Sequence, residues 1–110
     1  MQNVVTKGCL TPARGRLVEL MQRINFGRIE GLEVRDGEPV IDPPPIVVRD
    51  IKFGGENGPR HELEAKDFIL KREVIEFFVQ LEELANGTVD VLEIKHGLPF
   101  RMSIKEAVRA

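Results

Sequence analysis

Tryptophan and tyrosine are absent from this 110-residue chain, cysteine occurs once and histidine twice. Six Phe must therefore supply every large ring of the core, leaving little aromatic surface for stacking bases or anchoring a binding hot spot. The single Cys9 excludes an intramolecular disulfide framework and fits a reducing compartment. With His61 and His96 as the only imidazoles, no metal-ligand set can be assembled from His and Cys. No metal or other cofactor is expected. A basic excess is missing too: 16 Lys and Arg against 18 Asp and Glu give a net charge of −2, whereas binders of phosphate backbones usually carry a positive surplus on one face. No apolar run approaches a membrane span, and residues 1–10 hold none of signal-peptide length. The expectation is a cytoplasmic protein with no membrane attachment.

What is present is ordinary globular material, 42% hydrophobic and 31% charged. At this length, folding should bury about 65% of the surface of the unfolded chain, enough for one core without staples. Residues 1–110 are read as a single domain.

The most informative feature is a repeat. Residues 27–40 return without a gap at residues 87–100, an offset of 60. Gly27, Leu32, Glu33, Gly37 and Pro39 recur as Gly87, Leu92, Glu93, Gly97 and Pro99. Ile29, Glu30, Val34 and Arg35 recur conservatively as Val89, Asp90, Ile94 and Lys95. The offset extends backwards into a helical stripe, where Leu17, Val18, Met21 and Ile24 fall on Phe77, Phe78, Leu81 and Leu84. An internal duplication of residues 14–41 as 74–104 is therefore expected, joined by the Pro- and Gly-rich segment 42–66. Neither unit is large enough to fold alone, so both should share one core.

Thr11 is placed to cap a first helix, with Pro12 at its first position and Asn25 and Gly27 as stop signals. Leu17, Val18, Leu20, Met21 and Ile24 form its apolar stripe, with Glu19, Gln22 and Arg23 off it. The second helix is expected to start at Asp67 as cap and run from Phe68 to Ala85, closed by Asn86 and Gly87. Asp36-Gly37 and His96-Gly97 predict two-residue type I′ hairpins, because both central residues of that turn need positive φ. Arg35 should then face Glu38, Lys95 face Leu98, Val34 face Pro39, and Ile94 face Pro99. In the outgoing strands Ile29 is out of phase with Leu32 and Val34, and Val89 and Val91 with Leu92 and Ile94. Either a bulge near Gly31 and Val91 shifts the phase or the strand is covered on both faces. Pro43, Pro44 and Pro45 predict a stiff extended spacer, Ile46 to Phe53 an extra strand at a sheet edge, and Gly54 to Gly58 a plain loop that lacks both the P-loop ending and the dinucleotide spacing.

At Ile24-Asn25-Phe26-Gly27, preceded by a helix and followed by an apolar strand, Asp36-Gly37 and a return strand, the first unit resembles the short bacterial YezD-type proteins. These look like one helix followed by a hairpin. The resemblance covers residues 14–41 and, in the second unit, 74–104, where Asn86-Gly87 replaces Phe26-Gly27. Pro39 and the triple proline depart from the family's pattern. Having no established activity, the family offers no site residues to carry over. The resemblance implies the fold and a bacterial origin.

The expected architecture is α+β: two helix-hairpin (αββ) units related by an approximate twofold, sharing an antiparallel sheet with both helices on one face. No nucleophile-base pair is visible, since Cys9 and Ser103 have no evident partners. The default function is thus a non-catalytic binding or interaction module, acting through a sheet edge as a homodimer or with a protein partner. A second reading places a small-ligand site or enzyme at the pseudo-twofold, with Glu33 and Glu93 as a carboxylate pair beside Arg35 and Lys95. A third is a nucleic-acid-binding regulator using the first helix and Arg28 to Arg35, with Arg14, Arg16, Arg23 and Arg28 as a candidate basic stripe. It is disfavoured because the second unit puts Val74, Glu76, Glu83 and Thr88 at those positions.

Overall fold

In the computed structural model, Gly8, residues 10–54 and residues 71–105 are described. They form two helices and a five-stranded antiparallel sheet, an α+β fold with the chain order α1 (Pro12–Ile24), β1 (Gly27–Arg35), β2 (Glu38–Val40), β3 (Ile46–Arg49), α2 (Arg72–Leu84), β4 (Gly87–Lys95) and β5 (Leu98–Ile104). The strands lie in the order β2-β1-β4-β5, and β3 pairs with the other half of the edge of β1 that β2 occupies.

The first helix starts where its sequence places it. The Thr11 side chain accepts the Arg14 N–H at 3.2 Å, and Pro12 holds the first helical position. Leu17, Val18, Met21 and Ile24 point into the core. Gln22, expected off the stripe, is also buried, because it follows Val18 by one helical turn and shares its flank. The second helix departs from expectation. Asp67 and Phe68 lie outside the described residues, but Lys71 is extended (φ −70°, ψ 154°) and the helix begins at Arg72 without a side-chain cap. It therefore matches the first in length, 13 residues each, or about 20 Å.

Both helices end alike. The caps Asn25 and Ala85 have φ 61° and 60°, with ψ −57° and −64°, and the next N–H reaches back two residues, Phe26 to Ile24 O and Asn86 to Leu84 O, each at 2.6 Å. This is the tight γ-turn, a strained conformation for a non-glycine residue. It aims each cap carbonyl at a hairpin: Gly97 N–H donates to Asn25 O at 2.9 Å and Gly37 N–H to Ala85 O at 2.8 Å. Each β-turn is thereby docked on the end of the helix from the other half of the chain.

The hairpins form in the expected register, with Arg35↔Glu38, Val34↔Pro39, Lys95↔Leu98 and Ile94↔Pro99 paired. The turn residues Asp36, Gly37, His96 and Gly97 have φ of 52°, 76°, 55° and 72°. The broken alternation has its explanation in the central ladder. β1 and β4 pair from Gly27↔Ile94 to Glu30↔Val91 and again from Leu32↔Val89 to Val34↔Gly87. Gly31 and Asp90 drop out between the two runs, one residue from each strand, so the pairing is kept while the facing slips by one. Ile29, Leu32 and Val34 thus all reach the core, as do Val89, Leu92 and Ile94. In β4 the dropped residue is Asp90 rather than Val91.

The expected extra strand is shorter than Ile46 to Phe53. β3 stops at Arg49, after which Asp50 N–H bonds Phe26 O at 2.8 Å and Ile51 and Phe53 lie exposed. β3 approaches β1 so closely at Gly27 that any Cβ there would overlap the Val48 carbonyl oxygen.

Candidate functional site

The sheet has two different faces. One carries the core and both helices. On the other, Arg28, Glu30, Glu33 and Arg35 of β1 lie beside Asp90, Glu93 and Lys95 of β4. Here the expected Glu33/Glu93 pair can be placed. Glu33 stands opposite Thr88 and Glu93 opposite Arg28, so five residues of strand, roughly 17 Å, separate them. Each carboxylate meets an arginine instead, Glu33 with Arg35 at 3.4 Å and Glu93 with Arg101 at 2.6 Å. Arg35 and Lys95 end neighbouring antiparallel strands and so sit at opposite ends of the sheet, where the Lys95 ammonium lies 4.0 Å from the centre of the Phe100 ring. These four residues are not brought together.

Nor do the arginines form a free basic stripe. Arg14 is largely buried, with Nε 2.9 Å from Glu38, a guanidinium nitrogen 3.4 Å from Glu82, another donating to Gly37 O at 3.3 Å, and the Phe78 ring beneath it. Arg28 pairs with Glu30 at 2.7 Å, and that hydrogen bond holds its guanidinium pKa above the ordinary value. Arg16 and Arg23 remain exposed on α1. Among the described residues no group of three His, Cys, Asp or Glu side chains is placed to hold a metal, and no helix is long and apolar enough to cross a membrane. His96 packs edge-on against Phe26, ring centres 4.8 Å apart. Ser103 is exposed on β5. Cys9, His61 and all of the Gly54 to Gly58 loop beyond Gly54 lie outside the described residues.

The strongest feature was not singled out as a pocket in the sequence. Between α2 and β5 runs an open groove of about 410 Å³, its apolar lining Ile75, Phe77, Val79, Leu92, Phe100 and Met102, with Glu73, Glu76, Gln80 and Arg101 among the residues around it. Phe100 is 58% exposed, Val79 45% and Ile75 37%. Ile75 and Val79 are one turn apart and so form an apolar ridge on the flank of α2 away from α1. β5 itself ends the sheet, and among the described residues no strand pairs with its outer edge. The two-residue hairpin closes on a hydrogen-bonded pair, Lys95 with Leu98. Alternation along β4 then turns the backbone groups of Met102, which faces Leu92, away from β4 and towards solvent. Phe100 is the extra residue where the register shifts between Glu93 and Ile94; it borders the groove while its ring lies against the Lys95 ammonium.

The signal for this surface was present as a mismatch between the repeats. At the positions of Ile75, Val79, Gln80 and Arg101 the first half has Gly15, Glu19, Leu20 and Ile41. Leu20 and Ile41 pack against the core and fill the corresponding space; Gln80 and Arg101 leave it open. A second set of exposed apolar residues, Ile46, Val47, Ile51 and Phe53, lies on and after β3, but that strand offers an edge of only four residues.

Compared with known proteins, the chain matches no family model, no curated protein and no solved structure.

Proposed function

We propose that this chain is a non-catalytic interaction module, made by duplication of one αββ unit, that binds a macromolecular partner through the outer edge of β5 and the adjoining α2/β5 groove. The observation that carries the reading is the coincidence of a seven-residue edge strand, unpaired on its outer side among the described residues, with exposed apolar residues beside and on it, Ile75, Val79 and Phe100. Long edges with apolar flanks are normally covered, and adding a strand to an edge while side chains enter a neighbouring groove is a recurrent mode of recognition. The groove is open rather than enclosing, and of its polar lining residues Glu73, Glu76, Gln80 and Arg101 the arginine is already paired with Glu93, which favours an extended partner over a small substrate.

The duplication is supported by the pairing register. Moving the pair Gly27↔Ile94 by the 60-residue offset returns Val34↔Gly87, and Ile29↔Leu92 returns Leu32↔Val89; both are real pairs. A twofold axis perpendicular to the sheet keeps equivalent residues on one face, yet here residues of opposite parity are paired across it. The alternation must therefore slip at the axis, which is where Gly31 and Asp90 leave the ladder. The γ-turns at Asn25 and Ala85 and the crossed bonds from Gly97 and Gly37 obey the same offset. The resemblance of the first unit to YezD-type proteins fits one unit of this pair.

Site-specific photo-cross-linking tests the function. A benzoylphenylalanine at Val79, placed in the full chain inside its source cells, should yield a protein adduct, while one at Arg35 on the charged face should not. Adducts from Arg35 alone, or from neither position, would overturn the reading.

A further inference from the structure

Resting on that reading, we infer that the occupant of the α2/β5 surface is a second copy of this chain, joined by antiparallel pairing of β5 with β5 about a twofold through Met102. Three features of the surface select this partner. The first is continuity: β1 and β4 already pair antiparallel across the middle of the sheet with α1 and α2 on the same face, and a β5–β5 contact extends that arrangement to a ten-stranded sheet. The ridge of Ile75 and Val79 then meets the same ridge of the other copy.

The second is the placement of hydrogen-bonding groups. The N–H and C=O of Met102 point outward, so a Met102↔Met102 pair exchanges both bonds. Pro99, which has no N–H to give, falls away from the centre.

The third is charge. With Met102 at the axis, Arg101 faces Ser103 of the other copy, Phe100 faces Ile104, and Lys105 faces Pro99. A register centred on Arg101 would oppose two arginines, and one centred on Ser103 would oppose Arg101 to Lys105. Directly opposed like charges are unfavourable on a sheet, so the sequence of β5 admits the Met102 register and penalises its neighbours. The edge of β5 can therefore pair with itself without opposing like charges, whereas β3 is short and its apolar neighbours lie partly beyond its end.

Sedimentation equilibrium of the full chain across a concentration series tests this, with Met102→Pro, which deletes the central donor, and Val79→Glu, which puts a charge on the ridge at an exposed helical position. The wild type should dimerise by high micromolar concentration, and each variant should associate at least tenfold more weakly while keeping its helical circular dichroism. Should Met102→Pro fail to fold, Val79→Glu alone decides. A wild type that stays monomeric, or a dimer that persists unchanged in Val79→Glu, overturns the inference. If a monomeric protein still gives a Val79 adduct with a different chain, only self-association is lost. If it gives no adduct, the interaction-module reading falls with it.

Discussion

Gly27 and Gly87 are the same residue in the repeat, but their surroundings differ. A Cβ on Gly27 would strike backbone, the Val48 carbonyl and Arg49 Cα, whereas on Gly87 its nearest neighbours are side-chain atoms of Leu84, the closest 3.0 Å away. Backbone held in a ladder cannot step aside, but a leucine can change rotamer. Gly27→Ala should therefore cost about 3 kcal/mol, by loss of β3 pairing and by strain at φ 154°. Gly87→Ala should stay within about 1 kcal/mol of wild type. Chemical denaturation of the two variants measures the difference, and equal costs would mean that β3 does not lie where it is described.

The elements of each half are held by the other half. Each turn donates from Gly37 or Gly97 to the cap carbonyl of the opposite helix, and Asn86 Oδ1 accepts the Asp36 N–H at 3.1 Å, where the first half uses the Phe26–His96 ring contact instead. Gly37 and Gly97 hold left-handed backbone at φ 76° and 72°. Valine at either position should cost about 1–3 kcal/mol, and thermal melts at wild-type temperature for both would remove the type I′ turns. This element-level plan was largely legible before folding. Two apolar stripes, two Asp/His-Gly turns and one constant offset predicted the helices, the hairpins and their pairs. The start of α2 is not legible, because Asp67 offers a capping side chain whereas the helix begins after Lys71 without one. Nor is the burial of Gln22 legible, because a binary polar pattern is blind to a polar residue on the flank of a stripe. The true surroundings of Glu33 and Glu93 were not legible either, since which strands neighbour one another, and in what register, is a property of the assembled sheet.

At the scale of the whole molecule, the two halves are similar in framework and different at their outer edges. The first half breaks its return strand into β2 and β3 around Pro43, Pro44 and Pro45 and closes its groove with Leu20 and Ile41. The second keeps β5 continuous for seven residues and leaves Ile75, Val79 and Phe100 uncovered. With one edge closed and the other open, the outer edge of β5 is the surface proposed for pairing, and Met102 sits at its centre. Amide hydrogen exchange of Met102 by NMR, followed from low to high micromolar protein, tests this most directly. In dilute solution the Met102 N–H should exchange rapidly while those of Arg101 and Ser103, turned towards β4, are protected, and protection of Met102 should grow with concentration. A Met102 amide as protected as its neighbours in dilute solution, or one unprotected at every concentration, would contradict the account.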